Sequence, residues 1–205
     1  HRACGRRGVR FGVYYSHSLD WHDGGDYGVH RVEAPTGLRK TGWNDWDPSP
    51  QSYDAYLQNK SLPQVEELAK RYPDLFLFWF DGAGYLSEEE SFDFYRRIYR
   101  HAPHALVTSR VSNSDLPRTL GDYESAGDNT IPDPNDVGNP YWETCGTTNN
   151  SWGFNSCDHD WKSPVEILSW LVDVVSRGGN YLLNVGPDGA GEIPAETVRI
   201  LREVG

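Results

Sequence analysis

The sequence predicts an α/β fold with parallel strands, and two observations predict it. Short runs rich in β-branched and aromatic residues alternate with segments of helical periodicity, in the order strand, helix, strand, helix, strand, loop, strand, helix, strand, helix. Leu75 to Phe80 (LFLFWF) is apolar at every position and stops at Asp81-Gly82, the pattern of a strand covered on both faces, as in a parallel sheet. No internal repeat, low-complexity tract or composition shift divides the 205 residues, so a single domain is expected.

Arg2 to Gly8 resembles a helix end stopped by glycine, and Val9 to Ser16 (VRFGVYYS) reads as the first strand. A Gly/Asp/Trp-rich loop runs from His17 to Ser52. Tyr53, Tyr56, Leu57, Val65, Leu68 and Ala69 have helical spacing, interrupted at Pro63, which predicts a helix to Arg71. After the apolar strand, Glu88 to His101 is a helix with Phe92, Tyr95 and Ile98 on one side, and Ala105 to Ser109 is a short strand. Residues 111–140 are rich in Asn, Asp, Gly and Pro and read as a long loop, a kind usually tied to function or disorder. Tyr141 to Cys145 is a further strand. Ser163-Pro164 starts a helix, Ser as N-cap and Pro in the first turn, that ends near Ser176 before Gly178-Gly179. Tyr181 to Val185 is the last strand, and Pro194 opens the last helix.

Composition narrows the function. With 19 Lys+Arg against 30 Asp+Glu, the formal net charge is −11, which disfavours nucleic acid as a partner, because phosphate binding relies on Lys and Arg. No apolar run approaches the roughly 18 residues of a membrane span. The 8 Trp and 12 Tyr stand out. Such residues offer flat apolar faces with a polar edge, suited to the C–H faces and hydroxyls of sugars, although aromatics also simply fill cores. Cys4, Cys145 and Cys157 are an odd set without metal spacing, and only Cys145 with Cys157 suggests a disulfide. The chain begins HRACGRRGVR, with no Met and no apolar segment of a signal peptide, which predicts an incomplete or processed chain.

In α/β folds, function gathers at the C-terminal ends of the strands. There stand Tyr15, Ser16, His17, Asp20, Trp21 and His22; then Trp79, Phe80 and Asp81; then Arg110; then Glu143, Asn149 and Trp152; and finally Asn184 and Gly186. Asp81 is the most informative. A carboxylate at the mouth of so apolar a strand is costly unless solvated, paired or in use, although a turn Asp before glycine is common. Two carboxylates flanking a glycosidic bond are the minimal equipment of most glycosidases, one attacking the anomeric carbon and one donating to the leaving oxygen. Glu143 and Glu124 both fit the second role, and either also fits a surface position. No metal site is expected, since Pro103 breaks the helix that would aim His101 and His104 at one ion. Asp188 to Glu192 is only loosely like a calcium loop. No phosphate-cradling loop or nucleophile elbow is present, so no cofactor is implied.

The segments FGVYYSHSLDW, LFWFDG, YWETCGTTNNSWGFN and LVDVVSRGGNYLLNVGPDGAGEIP, in that order, resemble α-L-fucosidases of glycoside hydrolase family 29. The resemblance implies a (β/α)8-like TIM barrel, of which this chain would cover strands four to eight, and an exo-acting retaining double displacement on terminal α-L-fucose of an oligosaccharide or glycoconjugate. Asp81 matches the family nucleophile. The acid/base comes from the WE motif, Glu143, which is favoured because Tyr141-Trp142-Glu143 reads as a strand end, or from the preceding loop, Glu124. Some relatives carry a Glu three residues further along that loop, where this chain has Gly127. Tyr15 and Arg110 match fucose contacts, and Trp152 an aromatic that packs on the sugar. Trp79 falls on the same side as Asp81 by strand alternation, and His17 and Trp21 are rim residues. The family's Trp-Gly and paired-His motifs do not occur here. The resemblance therefore covers the C-terminal part of a catalytic domain, and it implies a fragment, a chain completed by a preceding segment or a second chain, or a carbohydrate-binding pseudoenzyme with little turnover. It favours a secreted, periplasmic or lysosomal-type compartment.

Overall fold

A computed structural model describes residues 1–20, 53–84, 86–113, 120–133 and 135–205. The chain divides into two units, His1–Asp122 and Tyr123–Gly205, each a parallel α/β layer.

The first unit begins with a short helix, α1 (Arg2–Arg6), and strand β1 (Gly12–Ser16). Helix α2 (Tyr53–Tyr56) passes through a π-helical turn, Leu57–Ser61, into α3 (Leu62–Arg71). The interruption expected at Pro63 coincides with the π-helical turn that ends at Ser61, two residues before it, and the helix continues through. Strand β2 (Leu77–Asp81) leads to helix α4 (Glu88–His101), strand β3 (Leu106–Val107) and a 3-10 turn, Ser109–Val111. Helix α4 starts with a capping box: Ser87 Oγ accepts from the Glu90 amide, and the Glu90 carboxylate accepts from the Ser87 amide at 2.7 Å. Its acidic first turn and the Arg100 and His101 of its last turn both suit the helix dipole. Glu66 of α3 accepts from Arg97 and His101 of α4, at 2.7 and 3.2 Å, and pairs with Lys70 at 2.8 Å.

The three strands lie in the order β1-β2-β3, all parallel, with Gly12 beside Leu77, Ser16 beside Asp81 and Leu77 beside Leu106. Alternation sorts the side chains onto two faces. Phe78, Phe80 and Val107 are fully buried with Leu62, Val65, Phe94 and Ile98 of the helices, and Val13 and Tyr15 pack against that cluster. The other face carries Gly12, Tyr14, Ser16, Leu77, Trp79, Asp81 and Leu106. Tyr14 and Leu106 are exposed there, so LFLFWF is covered on one face within this unit and only partly on the other.

In the second unit, β4 (Glu124–Asp128), β5 (Trp142–Thr147) and β6 (Asn180–Asn184) form a parallel sheet in that order, with helices α5 (Pro164–Ser176) and α6 (Ala195–Val204). Strand β4 lies inside the segment expected to be a loop. Helix α5 begins at the predicted Ser163-Pro164 with a second capping box, Ser163 with Glu166, and ends at Ser176 as expected. Gly179, ahead of β6, lets the indole of Trp142 close in: a Cβ there would lie 2.5 Å from the ring. Ile167, Val174 and Ile200 are buried between the helices and the sheet, while Val165, Leu168, Val172 and Val175 leave an exposed apolar stripe along α5.

All three cysteines are free thiols, so Cys145 and Cys157 are not bridged. Among the described residues no helix is long and apolar enough to cross a membrane, and no group of three or more His, Cys, Asp or Glu converges on a metal position.

Candidate active site

In the first unit the site grows from the carboxyl end of β2. Asp81 is the last strand residue and faces away from the helices, on the face of Tyr14 and Trp79. Gly82 follows at φ +63, where a Cβ would lie 2.9 Å from Leu19 Cδ1. Its left-handed conformation turns the chain so that the Gly82 amide donates back to Asp81 Oδ1 at 3.0 Å. Arg110, from the 3-10 turn after β3, donates to the same oxygen at 3.1 Å, and the Tyr14 hydroxyl donates to Oδ2 at 2.9 Å. Trp79 backs both partners: the Arg110 guanidinium lies 4.7 Å from its ring centroid, and Tyr14 stacks on it at 5.5 Å with planes 19° apart. Asp81 thus has each oxygen held by a donor while its side chain remains 39% exposed. Burial, and then the adjacent Asp81 carboxylate, raise the Tyr14 pKa well above the usual tyrosine value. The hydroxyl therefore stays protonated at neutral pH and remains a donor.

The tyrosine beside Asp81 is Tyr14, not the Tyr15 carried over from the resemblance. Tyr15 lies on the helix-facing side of β1, donates to Gln64 Oε1 of α3 at 2.6 Å and meets Phe80 edge-on. The two tyrosines are adjacent, and adjacent strand residues face opposite ways. His17 is likewise no rim residue, being fully buried between Phe80 and Phe94. Trp21 lies outside the described residues.

In the second unit the two expected acids sit at the amino ends of their strands. Glu124 is the first residue of β4, and its carboxylate accepts from the Asn139 amide at 2.9 Å. Glu143 is the second residue of β5, which runs on to Thr147, so it does not end a strand; it is buried, at 6% exposure. The carboxylate at the carboxyl end of β4 is Asp128, which the sequence reading passed over. It is exposed, pairs in register with Cys145 and accepts the Cys145 thiol at 3.0 Å. The next residue, Asn129, turns the chain at φ 48, and its side-chain oxygen accepts from the Thr147 amide at 3.0 Å and from Lys162 Nζ at 3.3 Å. The Lys162 ammonium also donates to the Thr147 carbonyl at 2.6 Å, and burial lowers its pKa. These contacts fix the turn on which Asp128 stands. The signal was in the sequence: GDN is an acid followed by Asn, a residue suited to left-handed turns. Trp152 sits on the loop after β5, 43% exposed, with its carbonyl accepting from Asn184 of β6.

Chemically, the first unit holds an acid oriented by three donors, with a flat aromatic beside it. The second holds an accessible acid at a strand mouth and an exposed indole.

The family model for α-L-fucosidase matches residues 1–205. Among curated proteins, an α-L-fucosidase of Dictyostelium discoideum is 27% identical over 212 residues, covering 97% of this chain and 40% of its own length. Among solved structures, the α-L-fucosidase AlfC from Lactobacillus casei, in complex with α-L-fucose product, superposes with a TM-score of 0.80 at 36% identity, over 99% of this chain and 61% of its own. The α-L-fucosidase of Vibrio sp. strain EJY3 gives 0.81 at 33% identity, over 99% of this chain and 34% of its own. The chain therefore spans about 40% of the length of the curated relatives it matches.

Proposed function

The chain belongs to the α-L-fucosidase family, and from that premise we propose that it carries the nucleophile-bearing part of an exo-acting, retaining α-L-fucosidase built on a (β/α)8-like barrel. The observation that carries this reading is Asp81, a carboxylate at the end of a parallel strand with both oxygens oriented by Tyr14, Arg110 and the Gly82 amide. The substrate is terminal α-L-fucose on a glycan. In support, AlfC has been solved as a variant with 4-nitrophenyl-α-L-fucopyranoside and with Fucα(1,6)GlcNAc.

In the reaction, an Asp81 oxygen bonds to C1 of fucose as the bond from C1 to the leaving oxygen breaks, and an acid protonates that oxygen. Water then attacks C1 of the fucosyl ester, gives its proton to the same acid/base and frees Asp81, with configuration retained. The donors on Asp81 hold its carboxylate in place, so little reorganisation is needed when the reaction begins. For the acid/base we favour Asp128, whose place at a strand's carboxyl end is the usual one for such a residue. Glu143 and Glu124, the readings from the motifs, are its rivals. Trp152 is the indole proposed to pack against the sugar.

Two experiments test this. A fluorinated fucosyl inhibitor, followed by peptide mapping, should label Asp81, and a label on any other residue refutes the nucleophile. Asp128→Ala, Glu143→Ala and Glu124→Ala are then compared on fucosides with good and poor leaving groups. The true acid matters far more for the poor leaving group, and azide restores turnover of a good one. If Glu143→Ala shows that pattern and Asp128→Ala does not, the assignment to Asp128 is wrong. Fucose binding without turnover in the unaltered protein would favour the carbohydrate-binding reading instead.

A further inference from the structure

The side chain that best links the parts of the first unit's site does not face the site. His17 follows the last residue of β1 and is fully buried, its ring 4.8 Å from that of Phe80 and 5.1 Å from that of Phe94. Its Nδ1 lies 3.0 Å from the backbone carbonyl oxygen of Asp81, and its Nε2 lies 3.1 Å from that of Val111. Its own carbonyl accepts the hydroxyl of Ser61, from the π-helical turn, at 2.6 Å. The two carbonyls on the ring are informative. One belongs to Asp81 and the other to the residue after Arg110, the two residues whose side chains meet at 3.1 Å beyond the sheet. A buried imidazole is costly next to an apolar ring of similar size unless its polar edges are used, and both edges here address main-chain acceptors.

Resting on the reading of Asp81 as nucleophile, we propose that His17 is a positioning residue: its ring spans the carbonyls of Asp81 and Val111 and so sets how the Asp81 carboxylate meets the Arg110 guanidinium. It touches no substrate. It acts through the backbones of Asp81 and of Val111, the residue after Arg110, from behind the strand ends. Burial pushes its pKa down to about 4, against the opposing pull of the two carbonyls and of the Asp81 carboxylate. The ring donates an N–H to one of the two carbonyls when neutral and to both when protonated.

The test uses three substitutions and the unaltered protein. His17→Phe keeps the aromatic packing and removes both nitrogens. His17→Asn places an amide donor near Nδ1, toward Asp81, and His17→Gln places one near Nε2, toward Val111. On an aryl fucoside, His17→Phe should lose at least about tenfold in kcat with KM little changed, the loss of about 1.4 kcal/mol in aiming the nucleophile. At least one amide variant should recover most of it. Rates are taken per folded molecule, with melting temperatures measured alongside. Independently of activity, the unaltered protein at neutral pH should show a slowly exchanging imidazole N–H proton resonance that His17→Phe abolishes. The proposal is overturned if that resonance is absent, if folded His17→Phe retains its kcat, or if neither folded amide variant exceeds it. If a fluorinated fucosyl inhibitor labels a residue other than Asp81 while the resonance is present, it is the catalytic reading of Asp81 that fails.

Discussion

Replacing Tyr14 with Phe probes the aiming of Asp81 with the least other damage. The substitution deletes one oxygen, the donor 2.9 Å from Asp81 Oδ2, and keeps the ring that stacks on Trp79. A hydrogen bond to a charged acceptor contributes about 1.5–3 kcal/mol when shielded. Here Tyr14 is 61% exposed, so water offsets part of this and a figure just below that range, about 1.4 kcal/mol, is the better one. That is roughly tenfold in kcat/KM on an aryl fucoside. The Tyr14 pKa is raised, first by desolvation of the hydroxyl itself and then by Asp81. A raised tyrosine pKa leaves the hydroxyl protonated through neutral pH and beyond, so the loss should be the same from about pH 6 to pH 9. Steady-state kinetics across that range, with a melting curve to show that folding is unaffected, decides the matter. A kcat/KM within twofold of the parent would refute the aiming role, and a deficit that vanishes as pH rises toward 9 would refute the protonated donor.

Gly82→Ala puts a Cβ on a residue at φ +63, which costs about 1–2 kcal/mol, and brings it to 2.9 Å from Leu19 Cδ1, a flexible end that yields. For a chain of this size that lowers the melting temperature by about 2–8 °C, and calorimetry showing no shift would contradict the backbone argument. Glu66 has its pKa lowered to about 2, chiefly by Lys70 and then His101, with Arg97 adding to it. A depressed carboxylate pKa stabilises the fold above the unfolded value of about 4.3 and loses that contribution as pH falls toward 2. Glu66→Gln should therefore flatten the fall in denaturant stability between those pH values, and an unchanged acid limb would count against it. Ser163→Ala removes the cap of α5 and should cost about 1 kcal/mol in unfolding free energy, read from urea titrations; no change would mean that the capping box there is idle.

Most of the helices were legible because their signals are local. Ser87 with Glu90 and Ser163 with Glu166 mark both capped starts, and Glu88–His101 and Pro164–Ser176 match the residues expected. Strand β4 was not legible. Its sequence, ESAGD, has no β-branched or large apolar residue, and it is held by parallel pairing with β5, a contact distant in sequence. The same omission hid Asp128, since a residue cannot be read as a strand end when the strand is unseen. Trp79 fell where alternation from Asp81 put it, because β2 is an uninterrupted strand. The Tyr14-Tyr15 pair shows the limit of motif matching: a one-residue offset reverses the face, and only the register with β2 resolves it. His17 was placed at the rim from the resemblance, whereas its two nitrogens face carbonyls far away in sequence.

Residue 81 divides its labour between main chain and side chain. The carbonyl holds the architecture through His17, and the carboxylate alone faces outward. Trimming that side chain to glycine removes the reactive group yet spares the internal tether, and Arg110 keeps the indole of Trp79 beneath it. One substitution would thus part the proposed chemistry from the scaffold that carries it.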